Sequence, residues 1–134
     1  MNYITYFKSQ AKKFYKDFQT QYIPENDEFY SYKPKFWADI DEIILSFNID
    51  EDNFSLMKAQ HIIALLANLG SWNRLVHANE YQLELGYYLI EHRNDNYDHN
   101  LVEEWQMYLR SANLDDIDDA GKLDVFKHVF LNME

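Results

Sequence analysis

Twenty-three carboxylates and five histidines in a chain of 134 residues are the groups best able to bind a metal or move a proton, and their spacing decides whether they can. An EF-hand loop places oxygen ligands at alternating positions, a glycine at the sixth and a bidentate glutamate at the twelfth. Asn48, Asp50 and Asp52 satisfy the start of that pattern, but Asn53 stands where glycine is needed and Ala59 where glutamate is needed. Asp116 and Asp118 open a second match with Gly121 in place, and it fails at Ala120 and Lys127. Both clusters read as solvated caps and loops. His61, His77, His92, His99 and His128 form no His-x-x-x-His or Glu-x-x-His pair that would set two ligands on one helical face. With Asp95 or Asp98, His92 and His99 could hold a transition metal; the competing reading is a loop with exposed histidines.

Nucleophilic and acid-base chemistry have no stronger support. The chain has no cysteine, and none of its serines lies in a Gly-x-Ser-x-Gly elbow. Ser71, beside Gly70, is explained as a helix cap. Glu80 and Glu84 stand one helical turn apart and read as a solvated face rather than an acid-base pair. Three isolated glycines cannot build a phosphate-cradling loop. The expectation is a protein that is not an enzyme, with no metal and no cofactor. Should a small-ligand pocket exist between helices, its lining would be Tyr87, Tyr88, His92 and Trp105.

The elements that would position these residues are helical. Tyr3, Phe7, Phe14 and Phe18 share one face of a helix over 2–20, with Lys8, Lys12 and Lys16 on another. Both prolines, Pro24 and Pro34, fall in the loop 21–36. A short helix over 37–47 turns Trp37, Ile40, Ile43, Ile44 and Phe47 inward, with Asp39, Asp41 and Glu42 where the helix dipole favours acids. Further helices are expected from Asn53 or Ser55 to Leu69, from Asn79 to His92 with Gly86 inside, over 101–112 and over 119–132. Few glycines and prolines argue against a barrel or sandwich of many short strands. The fold class is all-α, a single compact domain over 1–134 with about five or six helices around a central helix-turn-helix corner.

That corner is Ser55–Leu75. Leu56, Ala59, Ile63, Leu66 and Ala67 recur at helical spacing, Gly70 is expected as the C-cap, and Ser71 caps a short second helix. Trp72 and Leu75 are expected to fold back onto the first helix, so Trp72→Ala should cost roughly 3–5 kcal/mol. Asn73 and Arg74 alone remain free to contact DNA bases, and lysine is missing from Trp72 to His92. Ala59-Gln60, Ala64, Gly70, Ser71-Trp72 and Leu75 resemble small helical modules of uncharacterised bacterial proteins, some attached to ankyrin repeats or to glyoxalase-like domains. The resemblance implies a bacterial origin and a helical corner, and brings no catalytic residue with it.

The net charge of −11 is unevenly spread. Residues 1–20 carry +3, residues 21–53 carry −7, residues 54–93 are neutral and residues 94–134 carry −7. Such a field repels phosphate backbones, so no nucleic acid is expected as a partner. No basic segment followed by an apolar run opens the chain, and no apolar stretch approaches a bilayer span, so the expectation is a soluble, cytoplasmic protein with no membrane partner. Absence of cysteine fits a reducing compartment.

Aromatic residues make up 17% of the chain, more than a short helix needs for its core around the proline loop. Tyr22, Phe29, Tyr30, Tyr32, Phe36 and Trp37 gather there, and aromatics beside acids suit a partner-binding surface centred on Tyr30, Tyr32, Phe36 and Trp37. The leading expectation is an acidic protein-protein interaction or adaptor protein, with a homodimer among the possible assemblies. The competing structural reading is a lid that closes over the core. An immunity or antitoxin-like inhibitor of a basic partner is the alternative function, together with the small-ligand binder above.

Overall fold

A computed structural model describes residues 1–95 and 100–133. Seven helices lie among the described residues: α1 (Tyr3–Phe18), α2 (Ile40–Ser46), α3 (Leu56–Leu66), α4 (Trp72–Val76), α5 (Glu80–Glu91), α6 (Leu101–Ser111) and α7 (Asp119–Val129). The all-α class is as the periodicity predicts, and counting the short second helix of the corner brings the number to seven. No helix among the described residues is long and apolar enough to cross a membrane. The chain divides into two compact units, residues 4–63 and residues 64–133.

In the unit of residues 4–63, the apolar face of α1 buries Phe7, Ala11, Phe14 and Phe18. Phe14 meets Trp37 edge-on with ring centroids 5.4 Å apart, and Phe54 packs at 4.2 Å from Phe18. Ile40, Ile43 and Ile44 of α2 are buried as the spacing predicts, but the helix starts three residues later than expected. Residues 35–37 before it donate their backbone N–H groups to the Asp17 carboxylate.

In the unit of residues 64–133, α5 packs against α7, and Leu85, Leu89, Leu101, Trp105, Leu109, Leu123 and Phe126 form the core. Gly86 lies buried on α5. Caps define the helix starts. Asn79 and Gln82 form a reciprocal capping box on α5, Asn100 caps α6 and Asp118 caps α7. Ser71 accepts the backbone N–H of Arg74 at 3.1 Å, as expected for the corner.

Helix ends follow a rule that the glycine content conceals. Asn48, Asn68 and Asn113 each adopt positive φ, at 49°, 60° and 58°. Each is followed by an apolar residue whose N–H reaches back five residues: Ile49 to Ile44, Leu69 to Ala64, and Leu114 to Leu109. These are Schellman caps with asparagine in the left-handed position. Gly70 is therefore not the cap of α3, contrary to expectation. Asn68 has that role, and Gly70, at φ 81°, turns the chain toward α4.

Candidate functional site

A single buried carboxylate organises the proline loop. Asp17, 1% exposed at the end of α1, accepts backbone N–H groups from Lys35 at 2.9 Å, Phe36 at 2.9 Å and Trp37 at 2.5 Å. Three donors on one carboxylate satisfy a charge that would otherwise be costly to bury. One turn on, Thr20 Oγ1 accepts the N–H of Lys33 at 2.8 Å, and Tyr22 pairs with Ser31 in an antiparallel bridge. At the loop's centre Tyr32 donates to Glu51 at 2.6 Å and accepts from Gln21 at 2.8 Å. Burial, with the Glu51 carboxylate second, pushes the Tyr32 phenol well above its usual range. Tyr30 donates to Asp52, and that bond raises the Tyr30 phenol as well.

The four residues expected at a partner surface therefore separate. Trp37 and Tyr32 are buried and hold the loop: Trp37 lies inward, as the spacing with Ile40, Ile43 and Ile44 predicts, and neither ring is free to form a partner surface. Tyr30 is half-buried and Phe36 is exposed. Outward-facing apolar side chains are Tyr22, Ile23, Phe29 and Phe36, with Phe29 76% and Ile23 54% exposed. Folding as a lid accounts for Tyr32 and Trp37; it leaves these others in water.

Cations accompany the exposed rings. Lys33 Nζ lies 4.9 Å from the centroid of Tyr22, and Lys13 and Lys35 lie 5.3 and 5.4 Å from that of Phe36.

The four residues of the alternative pocket differ in burial: Tyr87, Tyr88 and His92 are half-buried and Trp105 is buried. Tyr87, Tyr88 and His92 form a row along α5 and its end, with ring centroids 5.4 and 6.1 Å apart, and His92 Nδ1 lies 2.6 Å from Asp95 Oδ2. Trp105 is 1% exposed and packs edge-on against Phe126 and Phe130, so it belongs to the core. Lys127 Nζ meets Glu84 at 2.6 Å, and this bond raises the lysine. Glu84 is thus an ion-pair partner rather than half of a carboxylate pair.

An open groove of about 590 Å³ lies at the corner instead, lined in part by Asn68, Gly70, Asn73, Arg74, His77 and Gln82. Nothing in the helical periodicity marks it, although Asn73 and Arg74 are the two corner residues that capping and packing leave unused. Asp98 and His99, considered above as metal ligands, lie outside the described residues. Among the described residues no three His, Asp or Glu side chains gather as a metal site. Asp50 accepts the N–H of Asp52 at 3.1 Å and Asp118 caps α7, so both acidic starts are used by the backbone. Compared with known proteins, the chain matches no family model, no curated protein and no solved structure.

Proposed function

We propose that the protein is a non-enzymatic interaction module that docks a protein partner on the outer surface of the loop 19–37. One observation carries the reading. A loop held by a buried carboxylate, a threonine, a β-bridge and the Tyr32–Glu51 bond presents Ile23 and Phe29 outward instead of using that order to bury them. Ordering a loop before binding removes much of the entropy cost of association, so a rigid apolar surface suits recognition. Exposed apolar side chains that gather on one loop mark interaction sites.

The test is co-purification from the source cell with the wild-type chain and with an Ile23→Asp, Phe29→Asp double variant. Both positions are exposed, so the variant should melt as the wild type does. A partner retained by the wild type and lost by the variant supports docking here. A partner held equally by both removes the loop from the interface. Sedimentation of the same two chains tests whether the partner is a second copy.

A second reading, small-ligand binding at the corner groove, is favoured by its volume, which lies in the range of ligand sites. Amide shifts confined to Gly70, Asn73 and Arg74 on titration with inorganic phosphate would support it; unchanged spectra would remove it.

A further inference from the structure

We propose that the partner segment docked on the loop 19–37 is acidic, its carboxylates meeting a lysine cluster and its apolar side chains meeting the exposed rings. The proposal rests on the docking reading above and names the partner's chemistry. It begins with a segregation of charge. The chain has 23 acidic against 12 basic residues, so a lysine should readily find a carboxylate. Yet among the described residues Lys8, Lys12, Lys13, Lys16, Lys33 and Lys35 make no ion pair with one.

The nearby carboxylates are engaged otherwise. Asp17 binds the backbone of residues 35–37, Asp27 accepts the N–H groups of Glu28 and Phe29, and Glu51 and Asp52 accept the phenols of Tyr32 and Tyr30. Bonds to phenols and backbone amides occupy these carboxylates, and the local lysines form no contact ion pair with them. On α1, Lys8, Lys12 and Lys16 are exposed and follow one another at four-residue spacing, opposite the buried phenylalanines. Lys13, Lys33 and Lys35 sit over Phe36 and Tyr22, bringing charge and apolar area into contact on one surface.

A partner that fills such a surface offers carboxylates interspersed with apolar side chains. The rest of this net −11 chain repels an acidic segment, so the lysine cluster would also orient its approach. A phosphate backbone matches less of the surface. It would supply the charge but nothing apolar for Ile23 and Phe29.

The test uses the full chain and a fluorescein-labelled peptide of about twelve residues that alternates glutamates with leucines, read by anisotropy. Binding should weaken as salt rises from about 50 to about 200 mM. It should also weaken roughly tenfold or more in a Lys13→Gln, Lys33→Gln, Lys35→Gln variant whose melting is unchanged. Replacing the peptide's leucines by serines should weaken it again. Failure of the peptide to bind, equal binding by the variant, or tighter binding of a single-stranded DNA of the same length overturns the proposal. A cellular partner lost with Ile23→Asp, Phe29→Asp but indifferent to the lysine variant would also overturn it, and would leave the docking reading standing.

Discussion

Asp17 accepts the backbone N–H of Trp37 at 2.5 Å, and Phe14, one turn earlier on the same helix, meets the same tryptophan's indole edge-on at 5.4 Å. A single turn of α1 thus supplies both the charge and the ring that fix where the loop ends and α2 begins. Removing the charge should be felt most. In Asp17→Asn the amide oxygen can keep the Phe36 and Trp37 bonds, but its NH₂ then faces the N–H of Lys35. A loss of about 2 kcal/mol is expected for Asn and roughly 3–5 kcal/mol for Ala, measured by urea unfolding. Near-ultraviolet dichroism should report a changed Trp37 environment. A wild-type midpoint for Asp17→Ala would mean that the loop does not depend on this carboxylate.

The Tyr32 phenol makes a pH-dependent contribution of defined sign. Its folded pKa is raised above the ordinary 10.0 by burial and by Glu51, so the neutral phenol is favoured in the fold. That stability is fully present below pH 10 and is lost as pH rises toward the folded value. Tyr32→Phe, which has no proton to lose there, should melt below the wild type at pH 8. The gap should narrow above pH 10. A gap that stayed constant to pH 11 would mean the phenol is not held neutral by the fold.

Trp105 and Trp72 offer the same truncation at two depths. Trp105 is 1% exposed among Tyr108, Phe126 and Phe130, whereas Trp72 is half-buried. Trp105→Ala should cost roughly 3–5 kcal/mol, and Trp72→Ala about half as much. The expectation that Trp72 holds the corner is corrected accordingly, since the buried residue of α4 is Leu75. Equal losses for the two tryptophans, measured by thermal or urea unfolding, would contradict the difference in depth.

The helices were legible because apolar spacing and caps such as Asn79 and Ser71 act within four residues, a range that sequence displays directly. Asp17 was not. Its partners are backbone N–H groups 18 to 20 residues away, which every residue except proline has, so no residue type marks them. The one available signal was a lone acid among the four lysines of α1. At the proline loop the gathering of aromatics was legible, but the division into buried Tyr32 and Trp37 and exposed Ile23, Phe29 and Phe36 was not, because hydrophobicity alone does not say which ring the core accepts. The asparagine caps were not legible either, because glycine is the usual residue at positive φ.

Asn113 puts that last point to a test. Its φ of 58° and the Leu114 to Leu109 bond of 2.8 Å define the end of α6, and any Cβ-bearing residue without a short polar side chain is strained there. Asn113→Ala should cost about 1 kcal/mol despite alanine's better helix propensity, while Asn113→Gly should keep the wild-type stability within a few tenths. Urea unfolding of the three chains separates the cap from propensity. If alanine matched or exceeded glycine, α6 would have to run on through residue 113, and Leu114 would lose its reason to turn back onto Leu109.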